Sequence, residues 1–170
     1  GGYLRDYLLG IQSYDLDFAL TTDYKRALEV LKNHYKCVNY DRYQSIKIDI
    51  DEYKIEITHC RKEYEYSDYR HPSKIEFISD IEQDSKRRDF TINSLYYKDG
   101  ILYDFYNGCE DIKNRKLLVI GDSLARFKED ALRILRMIRF ASLGYFINES
   151  DKKNILENGS LIKHLSLTSF

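Results

Sequence analysis

Residues 46–58 read IKIDI-DE-YKIEIT, two stretches in which apolar and charged residues alternate on either side of an acidic pair. Alternation with period two is typical of strands that bury one face and expose the other. The pair Asp51-Glu52 interrupts the pattern and predicts a turn. This part of the chain therefore predicts a β-hairpin with an isoleucine face and a charged face.

Outward from this hairpin, strand patterns alternate with helix patterns. Helices are predicted from the Gly1-Gly2 turn to Leu9, over 24–35 behind the N-cap candidates Thr22 and Asp23, over 80–95, over 123–143 before Gly144, and over 150–158. Further strands are predicted over 14–20, 74–79, 101–105 and 117–120. Residues 60–72 are dense in Tyr, Arg, Glu and Asp without a period, which predicts an exposed, mobile loop. Together these elements predict an α+β fold with a small mixed or antiparallel sheet flanked by helices.

The size and composition of the chain limit its class. Its 170 residues, 43% of them hydrophobic, suffice for one domain or for one domain and the start of a second. The pattern becomes purely helical near residue 123, so we expect domains at 1–122 and 123–170. No apolar run approaches the ~18 residues of a membrane span. The three cysteines lack metal-ligand spacing and are expected to be free thiols of a cytoplasmic protein.

Charge is distributed unevenly along the chain. The net charge is -1, with -5 on residues 1–85 and +4 on residues 86–170. An acidic first half can hold metal ions and a basic second half can hold phosphates. A solvated surface explains the same imbalance, and for the charge distribution taken alone this explanation is favoured.

Asp15 and Asp17 stand two apart in the predicted strand 14–20, so their carboxylates share one face of it. Paired hard oxygen ligands suit two Mg²⁺ ions ~3.5–4 Å apart, an arrangement that transfers phosphoryl groups. Glu56 on the charged face of the hairpin can supply a third carboxylate, and by pattern alone Asp49 and Asp51 compete with it. The residues therefore predict metal-dependent phosphoryl transfer.

Four motifs occur in order and carry a family resemblance. They are Gly1-Gly2-x-x-Arg5-Asp6, Asp15-x-Asp17, Arg87-Arg88-Asp89-Phe90-Thr91-Ile92-Asn93 and Glu129-Asp130-x-x-Arg133. Together they resemble the class II tRNA nucleotidyltransferase and bacterial poly(A) polymerase family. The resemblance implies a nucleotidyltransferase head followed by the start of an all-helical neck.

The resemblance also implies roles for individual residues. Asp15 and Asp17 would ligate the metals, and Glu56 would be the third catalytic carboxylate. The remaining residues would bind the nucleotide. The triphosphate would be bound by Gly1, Gly2 and Arg5, the ribose by Arg88, Asp89 and Asn93, and the base by Glu129, Asp130 and Arg133. Two more nucleotide-binding residues, Arg136 and Arg139, lie on the same neck helix as Arg133.

Base recognition without a nucleic-acid template has a physical rationale here. Asp130 and Arg133 are i, i+3 neighbours on one face of the helix predicted over 123–143. Such an acceptor and donor would fit the edges of cytosine and adenine and reject guanine and uracil. An ordinary intrahelical ion pair is the alternative. The loop residues Asp68 and Arg70 are expected to switch the pocket from C to A.

Within the family several activities compete. A Gly-Arg-Arg-Phe stretch typical of poly(A) polymerases is absent from the sequence, and the loop at 61–72 looks full length, unlike that of enzymes adding only CC. We therefore expect CCA addition to the tRNA 3′ end from CTP and ATP, with A-only addition as the nearest rival. A non-catalytic nucleotide- or RNA-binding module is the alternative from another class.

Overall fold

The computed structural model describes residues 1–165. Its helices are α1 Gly2–Leu8, α2 Tyr24–Lys32, α3 Ile81–Ser85, α4 Gly108–Lys113, α5 Ser123–Glu129, α6 Leu132–Ser142 and α7 Glu149–Asn158, with 3₁₀ helices at Thr91–Asn93 and Gly159–His164. Its strands are β1 Asp15–Leu20, β2 Cys37–Tyr40, β3 Ser45–Ile50, β4 Tyr53–His59, β5 Arg61–Tyr66, β6 Pro72–Phe77, β7 Leu95–Lys98, β8 Ile101–Asp104, β9 Lys116–Leu117 and β10 Phe146–Ile147. Within residues 1–165, every helix is too short or too polar to cross a bilayer.

The largest sheet is mixed and contains the predicted hairpin. Its strand order is β1-β4-β3-β2, with β1 parallel to β4 and the other neighbours antiparallel. Ile46 and Ile48 on one face are buried with Tyr24 of α2, while the charged residues of the same strands lie on the other face. The predicted α+β class, with a small mixed sheet flanked by helices, is confirmed.

Helix α2 forms for the reasons read from the sequence. The side chain of Asp23 accepts a hydrogen bond from the amide of Arg26 at 2.7 Å, which satisfies one of the free donors of the first turn. Leu28 and Leu31 of the helix pack against the isoleucine face of the sheet. The helix ends at Lys32, three residues before the predicted end.

The predicted loop at 60–72 is wrong, because most of it is a strand. Residues 61–66 form β5, which pairs antiparallel with β6 from Arg61 opposite Phe77 to Tyr66 opposite Pro72. No sequence period marks β5, because both of its faces carry charged or tyrosine side chains. Two of its charges are paired instead, because Arg61 lies 2.7 Å from Glu63 and both side chains are nearly buried. Only residues 67–71 connect the two strands.

The predicted helix over 80–95 is also wrong beyond residue 85. Helix α3 ends at Ser85, and the chain then turns to run beside residues 118–120. The amide of Thr91 donates to the carbonyl of Leu118 at 3.1 Å, and the amide of Ile120 donates to the carbonyl of Asp89 at 3.0 Å. This pairing buries Phe90 and Ile92 completely. Burial of these side chains outweighs the helical pattern of the local sequence.

The predicted long helix over 123–143 is two helices. Asp130 is extended, with φ -141° and ψ 102°, and so separates α5 from α6. The amide of Ala131 donates to the carbonyl of Tyr69 at 2.9 Å, so the β5–β6 connection contacts the break directly. Gly144 follows α6 with φ +88°, which fits the predicted end of the helix.

The main hydrophobic core joins both parts of the described chain. Phe90, Ile92 and Leu117 pack in one cluster with Phe127 and Met137 of the later helices. Strand β10 pairs with β9, which adds main-chain contacts across the same region. The division into 1–122 and 123–170 remains a prediction, and its residues 166–170 lie outside the described chain.

Candidate active site

The three predicted carboxylates lie on the charged face of the mixed sheet. Asp17 of β1 is the Cα partner of Glu56 in the parallel β4, and Asp15 lies two residues before Asp17 on the same face. Adjacent strands are about 4.8 Å apart, so Asp17 and Glu56 are direct neighbours. Asp49 belongs to β3, one strand further from β1, and Asp51 lies in the turn. Of the three acids left open by the sequence, Glu56 is therefore nearest to Asp17.

The carboxylates differ in their present contacts. Glu56 accepts a hydrogen bond from the Ser45 hydroxyl at 2.7 Å and lies 3.5 Å from the Lys47 ammonium. The exposed side chains of Asp15 and Asp17 make no hydrogen bond or ion pair within residues 1–165. In the same range no three acidic, His or Cys side chains are gathered closely enough to form a metal site. The donor set consists of hard oxygen ligands, so it fits Mg²⁺ chemically, and Glu56 has to turn from Ser45 to join it.

Helix α1 brings a glycine pair against Asp17. A Cβ on Gly1 would lie 3.3 Å from Oδ2 of Asp17, so a larger residue would crowd the carboxylate. Arg5, one turn later, donates from Nη1 to the Asn93 amide oxygen at 2.6 Å, and Asp6 accepts from its other edge. The beginning of the chain is thus placed beside both the acids and the Arg87–Asn93 motif.

A polar network continues from Arg5 to the later helices. The Asn93 side-chain amide donates to Oδ1 of Asp89 at 3.2 Å, and Arg136 of α6 lies 2.8 Å from Oδ2 of Asp89. Arg5, Asn93, Asp89 and Arg136 therefore form one connected chain of contacts. Arg139, one turn further, is exposed and has no side-chain partner in the described part of the chain.

Arg88 is fixed by two groups that the sequence analysis did not single out. Its Nη2 lies 3.2 Å from a carboxylate oxygen of Asp84, and its guanidinium lies 5.6 Å from the ring centre of Tyr96. Burial lowers the pKa of Arg88, but Tyr96 and the Asp84 carboxylate outweigh this and raise it. The signal in the sequence was the spacing of Asp84, four residues before Arg88 at the end of a helix.

The predicted pairing of Asp130 with Arg133 on one helix face is wrong. The helix breaks at Asp130, whose carboxylate accepts from the amide of Leu132 at 3.0 Å, and burial raises the pKa of Asp130. Arg133 is only 5% exposed. It donates to Glu129 at 3.1 Å and to the carbonyl of Arg87 at 3.1 Å. The ion pair of Arg133 is therefore with Glu129.

Arg126 and Arg133 both bind the main chain that follows α3. Nη2 of Arg126 donates to the carbonyl of Lys86 at 3.2 Å and to the carbonyl of Arg88 at 3.0 Å. These carbonyls follow the end of α3 and have no partner within that helix. The two arginines of α5 and α6 therefore hold the main chain of the Arg87–Asn93 motif.

Asp68 and Arg70 lie in the short connection of the β5–β6 hairpin. The Asp68 carboxylate accepts from the amides of Arg70 at 3.0 Å and His71 at 2.7 Å, so it shapes the turn. Hydrogen bonds from the amide and then the side chain of His71 lower the pKa of Asp68 to about 2. Arg70 lies close enough to Asp130 to offset part of the rise in pKa that burial causes in that carboxyl. The hairpin connection thus reaches the edge of the predicted base site.

The chain is similar to CCA-adding enzymes in sequence. It is 37% identical to the CCA-adding enzyme of Geobacillus sp. strain WCH70, over 98% of this chain and 41% of that protein. It is 36% identical to the CCA-adding enzyme of Lactococcus lactis subsp. cremoris strain MG1363, over 98% of this chain and 42% of that protein. The chain thus spans about two fifths of the length of these relatives.

Solved structures give the same result. The Bacillus stearothermophilus CCA-adding enzyme in complex with CTP matches with a TM-score of 0.78 and 30% identity, over 98% of this chain and 40% of that one. A tRNA nucleotidyltransferase complexed with a primer tRNA and an incoming ATP analogue matches with a TM-score of 0.77 and 28% identity, over 98% of this chain and 48% of that one. Residues 1–118 also match the family model of the poly A polymerase head domain. Because this match covers more than half of its residues, the chain belongs to the poly A polymerase head domain family.

Proposed function

We propose that this chain is the catalytic head and partial neck of a tRNA nucleotidyltransferase that adds C and A to the tRNA 3′ end from CTP and ATP. One observation carries the proposal: Asp15, Asp17 and Glu56 share one face of the sheet, next to the glycine pair and the Arg5 network. Similarity to CCA-adding enzymes over 98% of the chain supports tRNA as the substrate.

The proposed reaction needs positioning and charge neutralisation rather than a protein nucleophile. Two Mg²⁺ ions held by Asp15, Asp17 and Glu56 would lower the pKa of the tRNA 3′-hydroxyl and neutralise the triphosphate. Gly1, Gly2 and Arg5 orient the triphosphate. The hydroxyl oxygen attacks the α-phosphorus in line, the bond to the β-phosphate breaks, and pyrophosphate leaves.

The remaining site residues recognise the nucleoside in this proposal. Arg88, Asp89 and Asn93 contact the ribose, while Glu129, Asp130 and Arg133 contact the base. Arg133 has to exchange its bond to Glu129 for the base edge, since its present donors are directed at Glu129 and at main-chain carbonyls. Arg136 and Arg139 extend the basic surface of α6 towards phosphate.

Incorporation of labelled nucleotides tests the proposal. The protein is incubated with Mg²⁺, a tRNA that lacks its CCA end, and CTP and ATP singly and together. We expect C addition with CTP alone and complete CCA with both. Asp17→Asn removes the carboxylate nearest to Glu56 and is expected to lower the rate by roughly 10²-fold or more, as loss of a group that stabilises transition-state charge does.

Asp49→Asn is the matched control, because Asp49 is an exposed acid on the same face of the sheet, opposite Lys54 of β4. Its activity should equal that of the wild type. Addition of A alone would favour the A-adding rival, and long A tails would indicate a poly(A) polymerase. Binding of labelled ATP without any incorporation, also in a chain carrying the remaining domains, would contradict catalysis.

A further inference from the structure

Asp84 is a buried carboxylate at the meeting point of three elements. Its side chain is 0% exposed and accepts four hydrogen bonds. The donors are the Arg61 amide at 2.9 Å, Arg87 Nε at 2.8 Å, Arg88 Nη2 at 3.2 Å and the Tyr96 hydroxyl at 2.7 Å. They come from β5, from the turn after α3, and from β7. A carboxylate with this many donors remains ionised inside a protein.

The charge of Asp84 is what allows two adjacent arginines to be largely withdrawn from water. Burial alone would raise the pKa of Asp84, but Arg87 and Arg88, with the amide of Arg61 and the hydroxyl of Tyr96, lower it. Arg87 has a second carboxylate nearby, since Glu63 lies 3.8 Å away. For Arg88, Asp84 is the only carboxylate within 4 Å in the described part of the chain. The position of Arg88 therefore depends on Asp84 more strongly than that of Arg87.

Asp84 and Tyr96 hold one edge of Arg88 and leave part of its side chain exposed. The Tyr96 ring lies against the guanidinium while its hydroxyl bonds Asp84, so the three groups fix one another. The Arg88 side chain is 27% exposed, and its buried Nε has no hydrogen-bond partner within residues 1–165. Arg88 also lies within electrostatic range of the Gly1 nitrogen, as Asp17 does. A buried donor without a partner is uncommon and calls for an explanation, which a ligand bound beside the Arg88 side chain would supply.

We propose that Asp84 is a positioning residue for nucleotide binding. Together with Tyr96 it fixes the guanidinium of Arg88, and Arg88 contacts the nucleotide. The inference rests on the proposed function, because it takes Arg88 as a nucleotide contact. The same carboxylate accepts the amide of Arg61 at the start of β5, so the root of the β5–β6 hairpin and Arg88 share one anchor. A displacement of the hairpin root would thereby change the position of Arg88.

A double-mutant cycle on CTP binding tests this role. Dissociation constants for CTP are measured on the wild type, Asp84→Asn, Arg88→Gln and the double variant, and thermal unfolding is recorded for each. Each single substitution is expected to weaken CTP binding by about 10-fold, the typical effect of removing a partner that orients a ligating group. The double variant should be no weaker than the worse single variant, because both substitutions remove the same contact. At saturating CTP and tRNA the kcat of Asp84→Asn should stay near that of the wild type while KM rises.

Asp151→Asn is the control for Asp84→Asn, because Asp151 is also a buried carboxylate, 6% exposed and at the first turn of α7. It should lower the thermal stability without changing the affinity for CTP. If Asp84→Asn does not fold, Tyr96→Phe takes its place in the cycle, since it removes the hydroxyl bond to Asp84 and keeps the ring under Arg88. Tyr97→Phe, on the exposed neighbour of Tyr96, is the control for that variant.

The possible outcomes separate the two proposals. In one outcome the wild type binds CTP, while the losses of affinity caused by Arg88→Gln and by Asp84→Asn, or by Tyr96→Phe in its place, add up in the double variant. That result would overturn the positioning role and leave the proposed function intact. A fall in kcat without a change in KM would overturn it as well. If the wild type binds no CTP, the proposed function fails and the positioning role fails with it.

Discussion

Gly108 begins α4 directly beneath the main chain of Thr91. A Cβ built on Gly108 would lie 2.3 Å from the Thr91 carbonyl oxygen and 3.0 Å from its carbon. Both are main-chain atoms of the Arg87–Asn93 motif, which hydrogen bonds to Leu118 and Ile120 hold in place. The fold therefore requires a glycine here for close approach rather than for its torsion angles.

We expect Gly108→Ala to destabilise the protein by about 1–3 kcal/mol or more, the cost of forcing an extra methyl group into a packed interior. Urea denaturation followed by circular dichroism measures the change. Gly159→Ala is the control, because within residues 1–165 its added Cβ has no neighbour within 4 Å outside its own helix, and its backbone is helical. The control should differ from the wild type by less than about 0.5 kcal/mol. Equal stability of both variants would argue against the close approach.

Two acids near Gly108 have a structural role rather than a catalytic one. Asp104 accepts the amides of Gly108 at 2.7 Å and Cys109 at 2.9 Å, so it caps α4. Asp111 is buried and accepts the Thr91 hydroxyl at 2.7 Å. Both acids are used to hold α4 in place, whereas the side chains of Asp15 and Asp17 have no such partners in the part of the chain that the structure describes.

At the scale of elements, the β5–β6 hairpin is joined to the break between α5 and α6. The carbonyl of Tyr69 accepts the amide of Ala131, and the ring of Tyr69 stacks on His164 at 4.7 Å between ring centres. Arg70, the next residue, lies within electrostatic range of Asp130. The hairpin tip therefore contacts Ala131, which directly follows Asp130 of the proposed base site.

We expect Arg70→Ala to reduce A addition more than C addition, because the tip is proposed to adjust the pocket for the larger base. Single-nucleotide incorporation is measured with CTP on a tRNA lacking CCA and with ATP on a tRNA ending in CC. Asp68→Ala should act in the same direction, since Asp68 holds the turn that presents Arg70. Lys74→Ala, an exposed cation within β6, is the control and should leave the ratio unchanged. An equal loss of both additions would contradict the proposed adjustment.

The sequence alone was sufficient to predict some of the elements and not others. The alternating pattern of residues 46–58 determined β3 and β4, and an acidic cap with apolar spacing determined α2, because these signals are local. The β5 strand and the turn after α3 depend on distant partners, namely β6 and residues 118–120. No property of residues 61–66 or 86–95 alone indicates those partners.

The same distinction applies to the candidate site. Asp15 and Asp17 were recognisable as one pair, because two residues of one strand share a face. The choice of Glu56 over Asp49 follows from the parallel pairing of β1 with β4, which sequence patterns do not determine. Asp84 was missed, since two of its four donors, the Arg61 amide and the Tyr96 hydroxyl, come from other elements of the chain.

At the scale of the whole molecule, one core stabilises the described residues on both sides of the predicted boundary at 123. Phe90 stacks edge to face on Phe140 with ring centres 5.6 Å apart, and Phe140 contacts Tyr145 in the same way. Met137 is fully buried in this cluster. We therefore expect the two parts to unfold together.

Met137→Ala tests this expectation. It should destabilise the protein by about 2–5 kcal/mol, as removal of a large buried side chain does. Hydrogen exchange should show faster opening of α6 and of α4 alike, since Ile112 of α4 lies in the same cluster. Ile138→Ala, on the 47% exposed neighbour, is the control and should cost much less. Faster exchange confined to residues after 122 would indicate two independent folding units.

The turn of Asp51 and Glu52 has a consequence for engineering the chain by insertion. Ile50 pairs with Tyr53, so the length of the Asp51-Glu52 turn determines which side chains of β4 lie on the same face of the sheet as Asp15 and Asp17. One added residue would turn Glu56 towards Tyr24 and the isoleucines and expose Ile55 or Ile57 in its place. The Asp99-Gly100 turn is equally short, but it joins the two-stranded β7–β8 sheet, where a shift of β8 moves no third strand. Tags and linkers therefore belong in the Asp99-Gly100 turn, and the length of the Asp51-Glu52 turn has to be left unchanged.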